Sequence, residues 1–129
     1  MDVPTPILHT PGCGIDEIPS CLRCAVGPGL ADEVQACYRA FVNECLRRRC
    51  SRALILGRAS IDAFHHLALR DALRAMSVAG LPAGFRIALV AETADLIAIY
   101  DAAVVEAGRC GIDARRFHAA ADATLWLDS

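Results

Sequence analysis

Apolar residues along this chain fall into two kinds of pattern. Arg52 to Leu56 and Phe85 to Ala91 are nearly continuous apolar runs, the pattern of strands buried on both faces. Between such runs, apolar positions recur every three or four residues, the period of a one-sided helix. Leu30 to Arg49 carries Val34, Cys37, Tyr38, Phe41 and Cys45 on one stripe. Its acidic start (Asp32, Glu33) and basic end (Arg47, Arg48, Arg49) suit the helix dipole. Asp62 to Ala79 reads as a second helix, with Asp62 as N-cap and Leu69, Ala72, Leu73 and Met76 inward. Thr93 is placed to cap a third, Ala94 to Arg109, with Leu96, Ile99, Tyr100, Ala103 and Ala107 inward and Gly111 as its stop.

Weaker signals complete the order. Ile7 to Thr10 and Ile18 to Val26 read as strands, separated by a turn at Pro11, Gly12 and Gly14. Ala114 to His118 reads as a last strand, and Ala120 to Leu127 as a closing helix that buries Leu125 and Trp126 or Leu127. Gly57 to Ser60 is expected to be a loop. The predicted order is β-β-α-β-α-β-α-β-α: an α/β fold with a mixed, mainly parallel sheet flanked by helices, only the first strand antiparallel. It is one domain, with residues 1–14 as an N-terminal strand and turn region and 15–129 as its body.

Composition narrows the class. With 129 residues, 55% hydrophobic and 22% charged, the chain is globular rather than disordered. Thirteen arginines, no lysine and 15 acidic residues give a net charge of −2, which argues against a nucleic-acid partner. No run reaches the roughly 18–20 apolar residues of a membrane span, and Met1 to Gly14 does not read as a signal peptide. A cytoplasmic location is therefore expected. The seven cysteines are read as thiols, with no structural disulfide and no zinc.

No motif announces catalysis. Cys21 and Cys24 have CxxC spacing, but on a strand positions i and i+3 face opposite ways. Cys37 and Cys45 read as packing residues, and Cys50 and Cys110 as partly exposed at element ends. Adjacent His65 and His66 diverge by about 100° on a helix, and His118 has no evident carboxylate partner. Gly27-Pro28-Gly29 lacks the third glycine of a dinucleotide fingerprint, and Asp32 and Glu33 would repel phosphate. Arg47, Arg48, Arg49 and Arg52 read as a solvated helix end. No catalytic residue, metal site or cofactor is expected.

The C-terminal half, Phe85-Arg86-Ile87-Ala88-Leu89-Val90-Ala91, a helix carrying Tyr100, Arg115-Arg116-Phe117 and Ala123-Thr124-Leu125-Trp126-Leu127, resembles small bacterial STAS-like proteins. These are related in fold to anti-sigma-factor antagonists and the SEC14 lipid-binding class. The N-terminal part fits more loosely, so the resemblance covers residues 15 to 128. It implies a single-domain STAS-like fold. The Asp-Ser-x-Gly phosphorylation motif of regulatory members is replaced by Gly57-Arg58-Ala59-Ser60.

A ligand would meet the carboxyl ends of the parallel strands, where Arg58, Ser60, Glu92 and Thr93 are the available polar groups. Two functions follow from the resemblance. One is a non-catalytic interaction or regulatory module that binds a protein partner or forms a homodimer. The alternative is a small apolar-ligand or lipid carrier of SEC14-like type. A chain this short has little room for a large cavity, which favours the first.

Overall fold

A computed structural model describes residues 4–19, 21–27, 31–58 and 64–129, without the side chains of residues 31 and 64–66. Among these, the order is β1 (Thr5–Thr10), β2 (Cys13–Ile18), β3 (Cys21–Val26), α1 (Ala31–Arg48), β4 (Arg52–Gly57), α2 (Phe64–Ala79), β5 (Arg86–Ala91), α3 (Ala94–Arg109), β6 (Asp113–Phe117) and α4 (Ala120–Asp128). The strands form one sheet in the order β1-β2-β3-β4-β5-β6. Pairs from β3 to β6 are parallel, and β1–β2 and β2–β3 are antiparallel. The expected mixed, mainly parallel α/β architecture is the one observed.

The N-terminal third differs from expectation. The run Ile18 to Val26 is not one strand, because Ile18 ends β2 and pairs with Cys21 at the start of β3. The region expected to be a turn around Gly14 is itself β2. The true turn is Pro11-Gly12, with Gly12 at φ 83°, the residue pair that a type II turn requires. β1 is a sheet edge, where Pro6 and a register break between Pro6 and Leu8 are tolerated.

Alternation in the strands sorts the core into two layers. Ile15, Leu22, Cys24, Val26, Ala53, Ile55, Ile87 and Leu89 point toward α1, α2 and α3. The other face, through Leu54, Leu56, Ala88 and Val90, packs on Ala123 and Leu127 of α4. Leu125 is 70% exposed, so the closing helix buries Leu127 and half-buries Trp126. Gly57 belongs to β4 rather than a loop, pairing with Val26 and Ala91, and Tyr100 occupies the space where a side chain would stand.

Two arginines hold α4 in place. Arg52 and Arg86 are register partners at the starts of β4 and β5. Arg52 Nε donates to the Leu127 carbonyl at 2.8 Å, and Arg86 Nη1 donates to the carbonyls of Trp126 and Ser129 at 3.0 Å. They satisfy the last carbonyls of a nine-residue helix and face the negative end of its dipole. Arg52 is thus a tether, not part of a solvated basic patch.

Helix ends follow the local chemistry. At the end of α3, Ile112 N–H reaches the Ala107 carbonyl and Gly111 N–H the Gly108 carbonyl, with Gly111 at φ 76°. This is the Schellman arrangement, with glycine at the left-handed position. The end of α1 repeats it through Cys50 to Cys45 and Arg49 to Leu46, but Arg49 holds the left-handed position at φ 51°. Arg49→Gly is therefore expected to stabilise the fold by about 0.5–1 kcal/mol, measured as a raised urea midpoint. An unchanged or lowered midpoint would contradict this.

Candidate functional site

The strand-end candidates lie where the topology puts them. Arg58 follows β4 and donates its backbone N–H to the Val26 carbonyl at 2.9 Å; Glu92 follows β5 and donates to the Gly57 carbonyl at 3.0 Å. Both side chains are exposed. Thr93 occupies the N-cap position of α3 without the expected side-chain cap, and its buried Oγ1 has no partner among the described residues. Ser60, the Asp62 cap, Pro28, Gly29 and the side chains of His65 and His66 lie outside the described residues. Among the described residues no side-chain hydrogen bond or ion pair joins Arg58, Glu92 and Thr93 to one another. The order β3-β4-β5-β6 never reverses, so this edge has no topological switch point, where α/β sheets open a crevice.

A denser chemical cluster lies between β2, β3 and α1. Cys13 on β2, Cys24 on β3 and Cys37 on α1 are all buried, and their sulfurs lie within 4.8 Å of one another. Cys13 and Cys37 form a disulfide with Cα atoms 5.8 Å apart, within the ordinary range. Cys24 Sγ is 3.6 Å from Cys37 Sγ. This corrects the expectation of seven thiols: an odd count forbids complete pairing, not one pair. The bond crosses 24 residues and contributes about 3 kcal/mol in the chain-entropy account. The sequence signal was inward alternation of Cys13 with Ile15, hidden once β2 was read as a turn.

CxxC spacing itself means little here, since Cys21 packs in the α4 layer and Cys24 in the opposite one. Burial, reinforced by the charge of Asp16, pushes the Cys24 thiol up to about 12. The trio is therefore a neutral, apolar setting that suits a disulfide better than three thiolates. Cys13 and Cys37 also line an open groove of about 360 Å³ with Leu8, Pro11, Glu33 and Val34.

A second thiol pair closes α1. Hydrogen bonding from Cys45 lowers the half-buried Cys50 thiol to about 7, with burial opposing and Arg48 assisting. Cys45 moves the other way, raised by the same bond and by burial. The carbonyl end of α1 works against the Cys50 thiolate.

On the face shared with α4, β1 to β3 carry a charged row. Asp16 Oδ1 accepts from His9 Nε2 at 2.7 Å, and Asp16 Oδ2 accepts from Arg23 Nη2 at 2.8 Å. Burial works to raise the Asp16 carboxyl, but bonds and charges from Arg23 and His9 outweigh it and hold it below its usual 3.8. His9 makes no other side-chain hydrogen bond among the described residues. Because the folded value is depressed, the stabilisation from Asp16 is full above pH 3.8 and is lost as pH falls further. In acid titrations followed by circular dichroism, Asp16→Asn should flatten the loss of stability below that pH. An unchanged acid limb would contradict it.

The outer surface of α3 carries small and apolar residues beside exposed Asp101, which pairs with Arg116 of β6. Ala98 and Ala102 are exposed, Val105 is 57% exposed, and Ile99 is half-buried. Ile99, Ala102 and Val105 border, with Arg70, Glu106 and Arg109, an open groove of about 340 Å³ against α2. Exposed Asp95 begins this stripe and exposed Arg109 ends it.

Comparison with family models, curated proteins and solved structures finds no match to this chain.

Proposed function

We propose that the chain is a non-catalytic interaction module that pairs with a second copy of itself through α3. The observation that carries this reading is the symmetry of the exposed stripe. Asp95 stands seven residues before Ala102 and Arg109 seven after it. An antiparallel pair of α3 helices crossing at Ala102 sets each Asp95 opposite the partner copy's Arg109 over about 20 Å. A two-fold axis makes both ion pairs at once. Between them Ala98 and Ala102 permit close approach, and Val105 and Ile99 supply apolar area.

The resemblance to STAS-like proteins supports the same class of role, a regulatory domain that acts by contact. The lipid-carrier alternative has less support. The grooves noted here are open, and the core is filled by Tyr38, Tyr100, Phe41 and Met76. No helix is long and apolar enough to cross a membrane. A cytoplasmic setting fits five free cysteines and would make the Cys13–Cys37 bond a transient one.

Light scattering on a size-exclusion column tests the reading. The wild type is expected to run with the mass of a dimer. Val105→Arg should run as a monomer that keeps the wild-type far-ultraviolet circular dichroism spectrum, since the residue is exposed in the single protomer. A wild type that is monomeric at every concentration, or a variant that stays dimeric, would overturn it.

A further inference from the structure

We propose that Cys13, Cys24 and Cys37 form a thiol–disulfide exchange site, in which the bond moves between Cys13–Cys37 and Cys24–Cys37 and so presents or withdraws a Cys13 thiol at the groove beside the β1–β2 turn. This goes beyond the self-association reading and does not depend on it.

The argument is geometric. Disulfides exchange when a third sulfur attacks one sulfur of the bond through a mixed intermediate. Here the third sulfur is within reach, because Cys24 Sγ sits 3.6 Å from Cys37 Sγ; all three sulfurs lie within 4.8 Å of one another, so a turn of the Cys24 side chain must bring it into line with the Cys13–Cys37 bond before it attacks. Cys37 is common to both bonds. Cys24 is buried behind it and has no opening to solvent, whereas Cys13 borders the groove. The two end sulfurs therefore differ in the one respect that matters for a site: only one of them meets molecules outside.

The step balances without an external oxidant. Cys24 gives up its thiol proton, and its sulfur forms a bond to Cys37 Sγ. The Cys13–Cys37 bond breaks with its electron pair left on Cys13 Sγ, which takes the proton. One disulfide and one thiol are present before and after. The released thiol is then available to small disulfides. In reverse, a low-molecular-weight thiol that enters the groove meets the Cys13 sulfur of the bond.

The surroundings disfavour metal capture, and because they also keep the Cys24 thiolate scarce they make the exchange slow. Three thiolates around a soft cation would place negative charge in an apolar core, beside Asp16, whose charge already disfavours the Cys24 thiolate. A disulfide and a thiol are both neutral. The apolar walls contributed by Leu8, Pro11 and Val34 accept them without penalty.

Non-reduced protein alkylated in its native state with iodoacetamide, quenched in acid and mapped by mass spectrometry tests the proposal. Wild type should carry the label on Cys13, and the labelled molecules should contain a Cys24–Cys37 bond. Cys24→Ser should lose the Cys13 label and keep Cys13–Cys37. Cys13→Ser exposed to oxidised glutathione should form Cys24–Cys37. Cys24→Ala, checked by circular dichroism, repeats the second arm should serine disturb the core. A free Cys24 in every oxidised wild-type molecule would overturn the proposal. So would stoichiometric zinc or copper(I) bound by the reduced trio with no exchange in the oxidised protein.

Discussion

Replacing Gly57 with alanine is expected to destabilise the protein by about 3 kcal/mol, the upper part of the range for forcing atoms into a packed core. A Cβ at Gly57 would lie 2.3 Å from Tyr100 Oη and 2.7 Å from its Cζ. Tyr100 has nowhere to yield. It is fully buried, and its hydroxyl lies 3.3 Å from that of the equally buried Tyr38. Moving the ring would break that contact between two buried hydroxyls. Urea denaturation of a double-mutant cycle isolates the cause. In a Tyr100→Leu background, the clashing atoms are gone, and Gly57→Ala should cost little. Equal losses in both backgrounds would show that the clash is not what keeps residue 57 a glycine.

Trp126→Ala is expected to cost about 2–3 kcal/mol, less than the 3–5 kcal/mol of a fully buried ring, because the side chain is half-exposed. The guanidinium groups of Arg86 and Arg115 lie 5.4 and 5.3 Å from its ring centroid, and the Phe117 ring lies 5.7 Å away. Each cation–π contact adds about 0.5–1 kcal/mol at such a site. The effect is large for nine residues of helix because α4 is too short to persist alone. Leu125→Ala, on the exposed side, should stay within about 0.5 kcal/mol. Denaturation followed by far-ultraviolet circular dichroism compares the two, since the first variant lacks the only tryptophan. Equal effects would mean that α4 is not anchored through Trp126.

The parts of the fold legible in the sequence are those where burial is two-sided or strictly periodic. Arg52 to Leu56 and Phe85 to Ala91 could be read as central strands because helices cover both faces of each. Stripes on α1, α2 and α3 gave their inward faces for the same reason, except that Ile99, expected inward, is only half-buried. β2 was obscured because its outward positions are Gly14 and Asp16, which break an apolar pattern and mimic a turn. Asp16 is buried only because His9 and Arg23 satisfy it from the neighbouring strands. No local pattern carries that information.

The candidate sites divide along the same line. Arg58, Glu92 and Thr93 could be placed at the strand ends, since topology alone determines the position. The sulfur trio could not, because its members come from β2, β3 and α1, and one of them sat in the strand that was missed. The role of Arg86 on the α4 carbonyls was equally hidden, as it joins residues 40 or more positions apart.

Sedimentation equilibrium on a charge-reversal cycle at low salt tests the central claim, self-association through α3, most directly. Asp95→Arg sets two arginines against each other across the proposed axis, and Arg109→Asp sets two aspartates there. Each single variant should weaken the dimer about tenfold or more, since two ion pairs become two repulsions. The double variant Asp95→Arg, Arg109→Asp restores both pairs in the opposite sense and should recover wild-type affinity. Additive weakening in the double variant, or an affinity indifferent to all three, would contradict an antiparallel pairing of α3.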